Sequence, residues 1–405
     1  MINHLSAEPV EMVGTADALL PWSATPPPLA LYVHLPWCVS KCPYCDFNSH
    51  QAAKIMPEKN YIRALLADAE SLPPRVWGRA VRSMYVGGGT PSLFSPSALD
   101  DLLNGLRALC LLSPGAEITM EANPDSADIG KFAEFRALGV NRLSLGVQSF
   151  DDAALRVLGR AHNGAAAKRA AAAAVRVFDN VNLDLMYALP GQTAAMARAE
   201  VAKAASFAPS HLSLYQLTME PGTPFFRAPP AALPDDDTAA EIADGVIAAA
   251  AEAGFGRYEI SAYARPGREC WHNLNYWQFG DYAAIGAGAH SKITTGGVIW
   301  REERIKNPND YMRRAEAGES VVAAHRRLAP RDAAFEFMLG ALRLCGGFET
   351  AWLRERAGAT VHMLEQEINS CEEDGLLSRG VNFIRPTEKG LRYLNDMLLR
   401  FLPNA

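Results

Sequence analysis

Three cysteines, Cys38, Cys42 and Cys45, stand in a C-x3-C-x2-C spacing within Leu31–His50, LYVHLPWCVSKCPYCDFNSH, directly after a short apolar run. Iron–sulfur clusters are held through cysteine sulfur, so three thiolates on one loop can take three irons of a four-iron cluster. The position that would close the cluster is Phe47, and no further cysteine follows until Cys110. An open iron suits a cluster that binds a ligand itself, because a pure electron carrier normally has every iron capped. A structural zinc site with His34 or His50 as fourth ligand remains open on the same residues. A disulfide accounts poorly for three cysteines within eight residues.

Further chemistry-bearing residues recur at regular intervals. Tyr85-Val86-Gly87-Gly88-Gly89-Thr90-Pro91 is a glycine turn after an apolar run; without Cβ atoms its backbone can approach a ligand closely. Glu121, Gln148, Arg160 and Asp184 suit a zwitterionic, nucleoside-bearing ligand. A carboxylate accepts from an amine or ribose hydroxyls, and Arg pairs bidentately with a carboxylate. Singly, each is an ordinary solvated loop end; together they define a site.

The elements that must position these residues alternate. The apolar runs Leu31–Leu35, Ser83–Val86, Ile118–Glu121, Arg142–Val147, Val181–Ala188 and His211–Gln216 are expected as strands. Helical patterns lie between them over Tyr61–Leu72, Pro96–Leu111, Ile129–Leu138, Ala153–Leu158, Ala165–Val177 and Ala194–Phe207. Such alternation predicts a parallel sheet of βα units. Six units indicate a partial TIM-type barrel, with a doubly wound sheet as competitor. The barrel is favoured because Cys38, the glycine turn, Glu121 and Asn123, Gln148, Asp184, and Gln216 with Thr218 fall at or just past successive strand ends. In a βα barrel those ends share one face, where active sites are built.

The 405 residues, about half apolar, with net charge −6 and seven cysteines, predict a soluble cytoplasmic protein without a disulfide framework. No secretory signal, membrane-spanning run or basic block is evident, so nucleic acid is not an expected partner. Residues 1–28 read as an irregular, proline-ended lead-in, 29–225 as the barrel and 226–327 as an extension of it. Within the extension, Asp237 or Thr238 is the expected cap of a helix over Ala239–Ala253, and Phe255–Trp300 shows no helical period. Asn309–Ala317 is expected as a helix. Residues 328–405 read as a small winged-helix-like domain: helices over Arg331–Leu344, Thr350–Arg356 and Thr360–Asp374, a hairpin over Leu376–Ile384, and a helix over Thr387–Leu402. The third helix carries Glu365, Glu367, Glu372, Glu373 and Asp374, an acidic face that would repel phosphates. The loop Ile285–Ser291, IGAGAHS, lacks the spacing and strand–helix context of a dinucleotide fingerprint.

CxxxCxxC after a YVH strand, GGGTP (87–91), MEANP (120–124), SLGVQSF (144–150) and DLMYALPGQT (184–193) together resemble the radical S-adenosylmethionine (SAM) superfamily, in its coproporphyrinogen dehydrogenase-like branch. The resemblance runs over nearly the whole chain. It implies a [4Fe-4S] cluster on Cys38, Cys42 and Cys45, with SAM on the fourth iron. It also implies Tyr32 beside SAM and cluster, Gly88, Gly89 and Thr90 at the methionyl end, and Glu121, Gln148, Arg160 and Asp184 completing the pocket. Dehydrogenases of this branch carry a fourth cysteine where this chain has Phe47. Here HNxxYW, from His272 through Tyr276 and Trp277, accompanies CPYCDFNSH, and this resembles the haem chaperones of the HemW type. The implied function is haem binding and delivery to apo-haemoproteins, respiratory ones included, with peripheral contact at a membrane surface where such acceptors sit. The alternative is oxygen-independent decarboxylation of coproporphyrinogen III. An imidazole at His272 can ligate haem iron, with Tyr276 and Trp277 as flat walls; Cys270 is a lesser candidate.

Overall fold

Strands buried on both faces organise the chain, as a covered parallel sheet requires. The computed structural model describes residues 26–124 and 129–403; most of the expected lead-in, residues 1–25, lies outside them. Six βα units follow one another. They are β1 (Leu29–Leu35) with α1 (Glu58–Ala69), β2 (Val81–Gly88) with α2 (Pro96–Leu109), and β3 (Leu112–Ala122) with α3 (Ile129–Ala137). Then come β4 (Arg142–Gln148) with α4 (Gly164–Val177), β5 (Val181–Tyr187) with α5 (Ala194–Ala205), and β6 (His211–Gln216) with α6 (Asp236–Glu252). Neighbouring strands from β1 to β6 pair in parallel, in chain order. The helices start at side-chain caps: Ser95, Asn163, Thr193 and Asp235 each accept a backbone N–H three residues on, satisfying donors that a helix start leaves free. The cap of α6 is Asp235, not Asp237 or Thr238, because the chain is already helical at Asp236.

The stretch without helical period forms several elements that sequence reasoning missed, and two of them frame the site. One is β7 (Asp281–Ile285), fully buried, which pairs in parallel with the free side of β1. Antiparallel strands Val298–Arg304 and Val322–Arg327 extend that side through His290–Thr295. Asp281 accepts from Lys292 Nζ at 2.8 Å and Thr294 N at 2.8 Å, and lies 2.8 Å from Arg79. This buried ion cluster pins β7 to its neighbours. The other element is α7 (Trp271–Trp277), too short to show a period, which packs on β1, β2 and β7. The sheet ends in free edges at Val322–Arg327 and Gly256–Arg257, so the barrel is partial.

A second core gathers Phe337, Phe348, Leu353, Ile368, Ile384 and Phe401, and shares Phe279 and Ile299 with the barrel extension. Two expected C-terminal helices are broken. Thr360–Asp374 is a 3-10 turn over Val361–Leu364 followed by a helix over Glu365–Glu373, and Tyr393 divides Glu388–Arg392 from Leu394–Leu399. The expected hairpin is present as Leu377–Arg379 and Phe383–Pro386, with Phe348–Glu349 as a third strand. The acidic face is not an open field of charge. Arg379 pairs with Glu365 and Glu372, Arg331 with Glu367, and Arg400 with Asp374. Among the described residues no helix is long and apolar enough to cross a membrane.

Candidate functional site

The C-terminal strand ends meet at a cavity of about 360 Å³, within the range of small-molecule sites. Its walls hold all three cysteines of the loop, together with Gly88, Gly89, Glu121, Gln148, Arg160 and Asp184. Backbone bonds stitch the cysteine loop to the glycine turn: Gly89 N donates to Leu35 O at 2.8 Å and Thr90 N to Trp37 O at 2.7 Å. The glycines are required by space. Gly88 has φ +112°, and a Cβ there would sit 2.5 Å from the His34 ring; one on Gly89 would meet the Trp37 backbone at 2.5 Å. Thr90 does not line the cavity. It is buried behind it and its hydroxyl accepts from Asn123 Nδ2 at 2.7 Å.

Each polar group is held by a neighbour. Arg160 reaches Asn123 Oδ1 at 2.5 Å, Gly146 O at 3.2 Å and Cys42 Sγ at 3.4 Å, tying β3, β4 and the cysteine loop together. Gln148 adopts a left-handed backbone, φ +64°, beside a break in the β4–β5 register. Such bulges re-aim a side chain, here into the cavity. Glu121 accepts from Tyr85 Oη at 2.8 Å and Gly88 N at 3.1 Å. Asp184 accepts from Asn182 Nδ2 at 2.7 Å and Ser144 Oγ at 3.3 Å. Tyr85, Asn123, Asn182 and Ser144 were not among the candidate binding residues. Asn123 alone carried a signal, its place at a strand end; the others lie within strands.

Burial pushes Glu121 up to about 7 and Asp184 up to about 6. Two half-buried carboxylates on one cavity wall without enough counter-charge suit a ligand that brings positive charge. Without ligand, the folded state holds protons that the unfolded chain releases above its ordinary carboxylate pKa. The stability these two groups contribute is therefore fully present below their ordinary values, 3.8 for Asp184 and 4.5 for Glu121, and is lost as pH rises through about 6 and about 7. We expect Glu121→Gln to remove about half of this pH dependence, on the order of 3 kcal/mol. Urea unfolding of ligand-free protein between pH 4.5 and 8 measures it; an unchanged slope refutes the assignment.

The zinc alternative loses one ligand. Both His34 ring nitrogens are engaged, Nδ1 with Tyr32 Oη at 2.9 Å and Nε2 with Asn48 O at 2.9 Å. Among the described residues no three His, Cys, Asp or Glu side chains gather as a single ion needs. Three thiols spread over one cavity wall, a glycine cradle and Arg160 beside Cys42 fit a four-iron cluster with SAM against it. The IGAGAHS loop and Lys306 together clamp the cysteine loop: Asn48 Nδ2 donates to Ala287 O and Lys306 O, both at 2.9 Å.

Tyr32 lines not this cavity but a second one that adjoins it along Lys41, Asp46, Phe47, Gly88 and Glu121. The HNxxYW residues line neither cavity. His272 is 3 % exposed beneath Tyr85 and Tyr32, with ring centroids at 5.0 and 6.3 Å. Its Nδ1 lies 3.3 Å from Ser83 Oγ, and its Nε2 is buried without a hydrogen-bond partner. Burial, then Arg142, lowers its pKa to about 3, so it is a neutral imidazole. Tyr276 stacks on Tyr282 at 4.1 Å, whereas Trp277 turns to Arg343. In this conformation the three residues do not frame one slot. Cys270 is buried against Glu117.

The fold and this strand-end site define a radical SAM protein. Residues 32–202 match the radical SAM superfamily and residues 328–393 the HemN C-terminal domain. The chain is 41 % identical to the heme chaperone HemW of Escherichia coli over 93 % of its length and 98 % of the relative's. It is 40 % identical to that of Haemophilus influenzae, over 93 % and 98 %. It is also 36 % identical to the mouse mitochondrial radical S-adenosyl methionine domain-containing protein 1, over 92 % and 87 %. The structure of E. coli coproporphyrinogen III oxidase, HemN, superposes with a TM-score of 0.79 at 23 % identity, covering 93 % of this chain and 90 % of that one. The chain belongs to the HemW family.

Proposed function

We propose that the protein binds haem and hands it to apo-haemoproteins in the cytoplasm, respiratory acceptors at the membrane surface among them. A [4Fe-4S] cluster on Cys38, Cys42 and Cys45 and SAM in the adjoining cavity accompany this function. The observation that carries the reading is the 41 % identity to a heme chaperone across 98 % of that relative. Phe47 at the place of a fourth cysteine favours it over porphyrin synthesis.

When bound, cluster and SAM bring one-electron reducing power beside a sulfonium. The chain's own part is to hold them. Gly88, Gly89 and, from behind, Thr90 shape the methionyl end, with Tyr32 alongside. Arg160 provides a cation for a carboxylate, and Glu121, Gln148 and Asp184 face the ammonium and ribose. His272 is the proposed haem ligand, reached when α7 swings away from β2, with Tyr276 and Trp277 then flanking the macrocycle. A neutral imidazole with an unpartnered Nε2 supports that role, since the neutral ring is the form that ligates metal.

The test is anaerobic reconstitution followed by haem titration and transfer. A shifted Soret band and passage of haem to an apo-globin are expected. His272→Ala is expected to lower the haem retained through gel filtration at least tenfold. Turnover of coproporphyrinogen III with SAM, without haem binding, overturns the reading.

A further inference from the structure

The second cavity, about 520 Å³, shares Lys41, Asp46, Phe47, Gly88 and Glu121 with the first. It adds His290 and Lys306 from the IGAGAHS loop and the turn after Val298–Arg304. Phe47 is 61 % exposed and lines both cavities, so its ring offers an apolar face to a flat ligand lying there. The His290 side chain is 54 % exposed, with Glu303 Oε1 3.9 Å from Nδ1, which leaves Nε2 for a metal. The Lys41 ammonium is fixed by donating to Phe47 O at 3.1 Å and Ser49 O at 3.3 Å. Lys306 is exposed on the same lining, which also carries the carboxylates of Asp46 and Glu121.

An accessible imidazole, two ammonium groups and an uncovered phenyl ring match the iron, carboxylates and face of an iron porphyrin. We propose that this cavity is where haem first lands, with His290 as iron ligand, Phe47 against the macrocycle and Lys41 and Lys306 on the propionates. The inference rests on the haem reading and explains how haem is captured while α7 still covers His272. Capture forms one Fe–N bond and displaces one solvent ligand; no electron moves.

Stopped-flow mixing of haem with reconstituted full-length protein, followed in the Soret region, tests it. His290→Ala is expected to slow the fast phase at least tenfold, and Lys306→Glu to slow it several-fold. His272→Ala should leave that phase intact while losing retained haem. Iron-free protoporphyrin separates ligation from structural damage: its capture should be equal in wild type and His290→Ala. Wild-type capture of haem by both His290→Ala and Lys306→Glu overturns the landing site and leaves the haem reading standing. Absence of any Soret change with wild type removes the haem reading itself.

Discussion

Cys42→Ser is expected to abolish the iron–sulfur chromophore after anaerobic reconstitution and to take SAM binding with it. Each thiolate of a three-cysteine loop holds one iron, so no neighbour compensates for a lost one. Cys42 is buried beside the Arg160 guanidinium, and a serine there leaves an alcohol that is a poor ligand for soft iron–sulfur chemistry. Iron and sulfide analysis, with SAM binding by equilibrium dialysis, gives the result. Cys110→Ser and Cys371→Ser serve as controls, because both thiols are buried and line neither cavity. Four irons retained in Cys42→Ser, or one tightly held zinc ion in the native protein, refutes the assignment.

The second large effect concerns the frame. Asp281→Ala is expected to cost about 3–5 kcal/mol, the range for removing one partner of a buried ion pair. Asp281 and Lys292 are both fully inaccessible, and Arg79 lies on the same carboxylate. The substitution leaves two cations facing each other, and Thr294 loses its acceptor for both N–H and hydroxyl. Replacing Lys292 by Met in the same chain is expected to return part of the loss. Urea midpoints of the single and double variants decide this; a cost below about 1 kcal/mol contradicts the buried-pair account. The site feels the change through β7, which leads into the glycine loop that grips Asn48.

The six-unit barrel was legible because its signals are local and repeated. Each strand is a short apolar run and each helix an amphipathic or alanine-rich stretch between turn residues, so period and punctuation agree. The same holds for the cysteine spacing and the glycine turn, where the residue types themselves restrict the chemistry. β7 and α7 were not legible. Five residues with two alanines carry little strand preference, and seven residues are too few to show a helical period; both exist because β1 and β2 offer surfaces to cover them.

Sequence alone therefore determined the class of fold, the thiolate loop and the ring of polar strand ends, all properties of contiguous residues. Tertiary structure decided which partner each group meets. It spent the acidic C-terminal helix on Arg331, Arg379 and Arg400, turned IGAGAHS from a rejected nucleotide motif into the clamp on Asn48, and buried His272 under Tyr32 and Tyr85. These outcomes depend on packing between residues up to hundreds of positions apart, and no local pattern encodes them.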